Sequence, residues 1–129
     1  MENTDQYRVL IVDDDKLVRD LIKDLLQNFG ATVVGEAENG EEALQAFDEY
    51  KPDVTFLDIE MPVKNGIDAL KDILAKDPNA NVIMLTATSD MDVVDMCAEI
   101  GAQSFIRKGA APAALNTMLK AGIDKIKAA

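Results

Sequence analysis

Val9-Leu10-Ile11-Val12-Asp13-Asp14-Asp15 sets four consecutive apolar residues, three of them β-branched, directly before three carboxylates. A run of this length and composition reads as a strand. Without polar alternation it has no wet face, so it belongs in a sheet covered on both sides. Similar runs recur at Thr32-Val33-Val34-Gly35-Glu36-Ala37, Val54-Thr55-Phe56-Leu57, Val82-Ile83-Met84-Leu85 and Ser104-Phe105-Ile106. After the first, Leu17, Leu21, Ile22, Leu25, Leu26 and Phe29 repeat at helical spacing, with Arg19, Asp20, Lys23 and Asp24 filling the other face. Further helices are signalled by Asn39-Gly40-Glu41-Glu42, Asn65-Gly66, Ser89-Asp90-Met91-Asp92 and Pro112, and helix stops by Gly30, Pro52, Pro78 and Gly101. Five strands alternating with five helices predict an α/β fold with a doubly wound parallel sheet.

Composition narrows the function. The 129 residues suit a single domain spanning 1–129, with nothing left over for an effector domain. A formal net charge of −11 repels phosphate backbones and anionic membranes, which argues against direct nucleic-acid binding. There is no histidine, which excludes imidazole acid–base chemistry and His-based metal clusters. The single cysteine, Cys97, has no partner for an internal disulfide and fits a reducing compartment. The first six residues lack the basic and apolar regions of a signal peptide, and no apolar run approaches the roughly 20 residues of a membrane span. The expected location is the cytoplasm, with no membrane insertion.

In a doubly wound sheet the ligand site lies beyond the carboxyl ends of the strands. Past the ends of the apolar runs come Asp13-Asp14-Asp15, then Asp58, then Thr86, then Lys108. A helix-start acid, a turn residue, a strand-end hydroxyl and a surface lysine each have ordinary structural explanations. Convergence on one crevice does not. Adjacent carboxylates repel, and all-oxygen donors suit a hard divalent ion, with magnesium favoured because no calcium-loop spacing is present. Asp13, Asp14 and Asp58 would hold the metal, with help from the backbone carbonyl of Glu60. A carboxylate can attack phosphorus once its charge and that of the phosphoryl group are neutralised, which makes Asp58 the candidate nucleophile. Thr86 and Lys108 would then bind phosphoryl oxygens and draw two loops inward, which is a switch.

Four motifs occur in order: Val9-Leu10-Ile11-Val12-Asp13-Asp14, Leu57-Asp58-Ile59-Glu60-Met61-Pro62 with Gly66, Thr86-Ala87, and Phe105-Ile106-Arg107-Lys108. On them the chain, from Tyr7 to its last helix, resembles the receiver domains of two-component response regulators, particularly the stand-alone CheY-like members. The resemblance implies a flavodoxin-like sheet of order 2-1-3-4-5. It also implies magnesium-dependent phosphorylation of Asp58 by a histidine kinase or phosphotransfer protein, followed by slow self-dephosphorylation. The chain would be a signalling module rather than an enzyme with its own substrate. Phe105 would turn inward as Thr86 moves, changing the surface of helix 4, strand 5 and helix 5 for an output protein of unknown identity. The unphosphorylated form is expected to be a monomer.

Some residues depart from the family pattern. Gly109-Ala110-Ala111 comes after Lys108 where many receivers have a cis proline. A non-proline cis bond costs about 2.5–4 kcal/mol, so a trans Lys108–Gly109 bond, a mobile loop and a less firmly placed Lys108 are expected. The resemblance also implies that Glu60 and Thr88 would flank the path of the attacking water and set the phosphoryl lifetime. Asp90, Asp92, Asp95 and Glu99 make the fourth helix acidic, which reads as a solvated face and makes the flagellar-motor target doubtful. Met84, Met91, Met96 and Met118 fit core positions better than a binding surface. Three alternatives stand beside the switch. A flavin site would need a glycine-rich phosphate loop where Asp13-Asp14-Asp15-Lys16 lies; a phosphatase would place Asp, not Glu60, two residues after the nucleophile; a degenerate receiver would act as a constitutive adaptor or phosphate sink.

Overall fold

The computed structural model describes residues 7–87 and 90–128. Its parallel strands are β1 (Tyr7–Val12), β2 (Ala31–Ala37), β3 (Val54–Asp58), β4 (Val82–Thr86) and β5 (Ser104–Arg107), and its helices are α1 (Lys16–Leu26), α2 (Gly40–Tyr50), α3 (Gly66–Lys76), α4 (Met91–Ile100) and α5 (Pro112–Ala128). The sheet order is β2-β1-β3-β4-β5, as the family resemblance implies. The chain leaves β1 toward one edge and returns past it to β3. That reversal opens a crevice at the carboxyl ends of the two strands.

Local chemistry sets the helix limits. Asp15, Asn39, Asn65 and Asp90 each accept a backbone N–H of the following turn and so cap α1, α2, α3 and α4. Ser89, part of the expected start signal for α4, lies outside the described residues. Gly30, at φ 71°, closes a short 3₁₀ turn after α1 in the left-handed region that glycine adopts without strain.

The central strands β3 and β4 are buried at every position. Their alternating side chains feed two cores. Leu10, Val12, Leu57, Val82 and Met84 pack with Ala43, Phe47, Leu70, Ile73 and Cys97 under α2, α3 and α4, while Val9, Ile11, Val54, Phe56, Ile83 and Leu85 pack with Ile22, Leu26, Leu115, Leu119 and Ile123 under α1 and α5. Among the described residues no helix is long and apolar enough to cross a membrane.

The structure corrects the sequence reading of α1 at two residues. Arg19, expected on the polar face, is buried, and Leu17, expected on the apolar one, is exposed. Arg19 lies three and seven residues before Ile22 and Leu26, so helical geometry carries it onto the buried line, whereas Leu17, five residues before Ile22, is turned off that line. The methionines also divide. Met84 is buried, and Met91 and Met96 are exposed on α4.

Candidate functional site

Asp13 follows β1, Asp58 ends β3 and Thr86 ends β4, and all three residues are buried. Lys108 follows β5, and its backbone N–H donates to the Thr86 carbonyl at 2.9 Å, which ties these two strand ends together. Side chains separated by up to 95 positions in the chain thereby meet in one crevice. Asp13 is held on four sides. Its N–H donates to the Ala37 carbonyl at 3.0 Å, its own carbonyl accepts Arg19 Nη1 at 2.5 Å, Oδ1 accepts the Asp15 N–H at 2.9 Å, and Oδ2 accepts Lys108 Nζ at 3.0 Å.

One carboxylate oxygen from each of Asp13, Asp14 and Asp58 lies within 4.8 Å of the others. Lys108 Nζ is also 3.2 Å from Asp58 Oδ1, so one ammonium is shared by two buried acids. Burial, and after it the charge of Asp13, push the Asp58 carboxyl up to about 6, against the opposing pull of Lys108. Burial pulls the Lys108 ammonium down, but its bonds and charge attraction to Asp13 and Asp58 outweigh this and hold it above its ordinary value.

The other oxygen of Asp58, Oδ2, is buried without a hydrogen-bond partner. An unpartnered buried acceptor is costly, and one beside two further carboxylates is matched by a hard cation that ligates oxygen. The donor set therefore fits a divalent ion. The exposed side chain of Glu60 is outside this cluster, leaving its main-chain carbonyl as the group expected to contribute.

Two glycines shape the acceptor loop. A Cβ on Gly66 would sit 2.0 Å from the Asp58 carbonyl oxygen, and one on Gly40 would sit 2.4 Å from the Lys64 carbonyl oxygen. The Gly66 N–H donates to the Ile59 carbonyl at 2.7 Å and the Gly40 N–H to that of Lys64 at 2.9 Å. The starts of α2 and α3 thus clamp the loop after Asp58, with Val63 in the left-handed region at φ 69°. The sequence reading used Asn39-Gly40 as a helix start and missed Gly40 as a clamp. It also missed Arg19, whose contact with Asp13 no local pattern announces.

Phe105 is 40% exposed on β5. Close to it is an apolar cavity of about 40 Å³ whose lining includes Ile59, Met84, Val94, Cys97 and Ala102 as well as Phe105 itself. Cys97 is buried there, and burial pushes its thiol up, away from reactivity. Among the described residues no peptide bond is cis, so Lys108–Gly109 is trans as expected. Against the expected loosening of Lys108 stand its two carboxylate partners, Asp13 and Asp58, at 3.0 and 3.2 Å. Thr88, named for the water path, lies outside the described residues.

Known proteins are similar to this chain in sequence and fold. The response regulator receiver domain family matches residues 9–120. The chain is similar to Chemotaxis protein CheY of Thermotoga maritima, 44% identical over 117 residues that cover 88% of this chain and 98% of that protein. It is similar to Protein CcdB of Bacillus subtilis, 46% identical over 101 residues that cover 78% of this chain and 84% of that one. Among solved structures, the CheX-CheY-BeF3-Mg+2 complex from Borrelia burgdorferi contains a chain that matches with a TM-score of 0.85 at 30% identity, over 93% of this chain and 88% of that one. Sheet order, family match and relatives agree, and the chain belongs to the CheY-like receiver domains of two-component response regulators.

Proposed function

We propose that this receiver accepts a phosphoryl group on Asp58 from a histidine kinase or histidine phosphotransfer protein in the cytoplasm and signals by changing a protein-binding face. The observation that carries this reading is the position of Asp58, buried between two acids and a lysine with one oxygen unpartnered. A carboxylate oxygen attacks the phosphorus of a phosphohistidine, the P–N bond breaks, and its electron pair stays on the imidazole nitrogen, which takes up a proton. Asp13, Asp14, Asp58 and the Glu60 carbonyl are the groups that would hold magnesium. When bound, magnesium supplies the positive charge that lets two anions approach. Lys108 is placed to exchange its carboxylate partners for a phosphoryl oxygen, and the Thr86 hydroxyl to bond another.

The switch would run through Thr86 and Phe105. Thr86 is tied to Lys108 by the backbone bond between their strand ends, and Phe105 stands partly exposed beside an apolar cavity. Movement of Thr86 toward a phosphoryl group would free the aromatic ring to turn inward and so reshape α4, β5 and α5. The solvated acids Asp92, Asp95 and Glu99 on α4 would select a basic output partner. A constitutive adaptor is disfavoured because the acids and the lysine meet in the crevice, with Thr86 at the neighbouring strand end. The test is intact mass after incubation with acetyl phosphate and magnesium. One phosphoryl adduct is expected, absent without magnesium and absent in Asp58→Ala; no adduct would return the chain to an adaptor role.

A further inference from the structure

Buried ionic side chains among the described residues are Asp13, Asp58 and Arg19. The first two form the acceptor site. Arg19 reaches it from behind, and burying a guanidinium on the core face of a helix is costly unless its donors are used. Here they are used in two directions. Nη1 donates to the Asp13 carbonyl at 2.5 Å and Nε to Glu36 Oε1 at 2.9 Å, while Lys23 Nζ holds the other Glu36 oxygen at 2.6 Å.

We propose that Arg19 is a positioning residue for the divalent-cation site, fixing the peptide plane that joins Asp13 to Asp14 and hence the direction in which both carboxylates are presented. The proposal deepens the reading of Asp13 and Asp14 as cation ligands and rests on it. The geometry behind it is local. On the β3 side the last registered pair of β1 is Val12 with Leu57, so the Asp13 carbonyl lies past the ladder and takes a side-chain donor instead. That carbonyl shares a rigid plane with the Asp14 N–H. Rotation of the plane changes ψ of Asp13 and φ of Asp14 together, which swings the exposed Asp14 carboxylate relative to the buried Asp13 one.

Glu36 locks the arginine in turn. Its carboxyl is kept below the ordinary range by Lys23 and then Arg19, so the clamp stays ionised at neutral pH. The result is a chain of contacts from edge strand β2 through α1 to the end of β1. A lysine cannot replace it, since one ammonium on a flexible stem does not present a fork to two acceptors lying in different directions.

The direction of the effect separates positioning from simple charge. A buried cation acting only by repulsion would weaken magnesium binding, and its removal would strengthen it. A positioning group does the opposite. The experiment is calorimetric titration of the unphosphorylated protein with magnesium chloride, beside metal-free thermal melts and acetyl phosphate phosphorylation at graded magnesium. In folded Arg19→Met the magnesium dissociation constant should rise about tenfold, with Glu36→Gln rising about threefold, as expected for groups that orient metal ligands. The phosphorylation rate at saturating magnesium should stay within about twofold of the parent, so that the loss appears in half-saturation rather than in maximal rate. Arg19→Lys, which keeps the charge and loses the fork, should resemble Arg19→Met, and it decides the matter with Glu36→Gln if Arg19→Met does not fold.

Unchanged magnesium affinity in the folded Arg19 variants and Glu36→Gln, or tighter binding in Arg19→Met, overturns the role. Asp13→Asn keeps the two levels apart. If it abolishes binding while the Arg19 variants bind as the parent does, only the positioning role falls; if it leaves binding intact, the ligand assignment falls and takes the role of Arg19 with it.

Discussion

Gly66 leaves no room for a side chain against Asp58, since a Cβ there would stand 2.0 Å from the Asp58 carbonyl oxygen. The obstruction is backbone, which cannot turn aside as a flexible side chain can. Gly66→Ala must therefore push the start of α3 off the end of β3, at about 1–3 kcal/mol of stability by the usual cost of overpacking. The contact disturbed is with the strand end that carries the acceptor, so phosphorylation by acetyl phosphate should fall further than stability does. A Gly66→Ala protein that melts and phosphorylates like the parent would show that the loop yields without cost.

The titration of Asp58 gives a stability prediction with a definite sign. Its carboxyl is pushed up to about 6 in the folded protein from an ordinary value of 3.8. Between these values the folded state binds more protons than the unfolded state, so stability falls as pH rises through the window and levels off above it. Asp58→Asn carries no such penalty. The melting temperature of metal-free Asp58→Asn should therefore move above that of the parent between pH 4 and pH 6, by the equivalent of about 3 kcal/mol at full ionisation. Magnesium favours the ionised acid and should close the gap. A difference that does not vary with pH would show that Asp58 titrates at its ordinary value.

Lys108 contributes to the same equilibrium from the other side. Its ammonium lies 3.0 Å from Asp13 Oδ2 and 3.2 Å from Asp58 Oδ1. Lys108→Met removes the cation and leaves the two acids facing each other, so the Asp58 carboxyl should titrate about one unit higher or more. Carbon-detected NMR of the aspartate side chains reads this directly, and an unmoved titration would mean that the ion pair is absent in solution.

Much of this site was legible in the sequence because strand ends in a doubly wound sheet point to one crevice. Val9 to Val12, Val54 to Leu57 and Val82 to Leu85 are apolar almost without a break, and the residue after each run is Asp13, Asp58 or Thr86. Unbroken apolar runs and the strand-end rule carried that inference, and helical periodicity placed the helices between them. Periodicity failed at Arg19 because a charged residue scores as polar-facing wherever it falls, and the groups that make its burial tolerable, Glu36 on β2 and the Asp13 carbonyl, are set by the fold. Leu17 failed for the converse reason, since apolar character near a helix start does not say whether the first turn packs on the core or stands clear of it. The clamp by Gly40 and Gly66 depends on the close approach of two helix starts to one loop, which no single segment encodes. Gly109 raises a different kind of question: a missing proline suggests a loose lysine, while two carboxylates within 3.2 Å of the ammonium offer it an anchor.

Thr55 marks a place where the fold carries a cost unrelated to the switch. It is fully buried as the second residue of the central strand β3, and its hydroxyl has no hydrogen-bond partner. Valine has nearly the same shape without the stranded donor and acceptor, so Thr55→Val should stabilise the protein by about 1 kcal/mol and raise its melting temperature by roughly 4 °C. Phosphorylation should be unaffected. A destabilised Thr55→Val would show that the hydroxyl is partnered in solution.

Gly109 allows the anchoring of Lys108 to be tested separately from its loop. A Cβ at this position would meet nothing within 4 Å, and its φ is outside the left-handed region, so neither space nor backbone conformation requires glycine. Gly109→Ala then acts mainly by restricting the unfolded chain and should stabilise the protein by about 0.4–1 kcal/mol. If Asp13 and Asp58 hold the ammonium in place, stiffening the residue behind it leaves the phosphorylation rate unchanged. If glycine instead supplies mobility that Lys108 needs to leave Asp13 for a phosphoryl oxygen, the same substitution slows acceptance while the melting temperature rises. Phosphorylation kinetics and melting of one variant therefore decide between a lysine placed by charge and a lysine released by its loop, and the two short ion-pair distances predict the first.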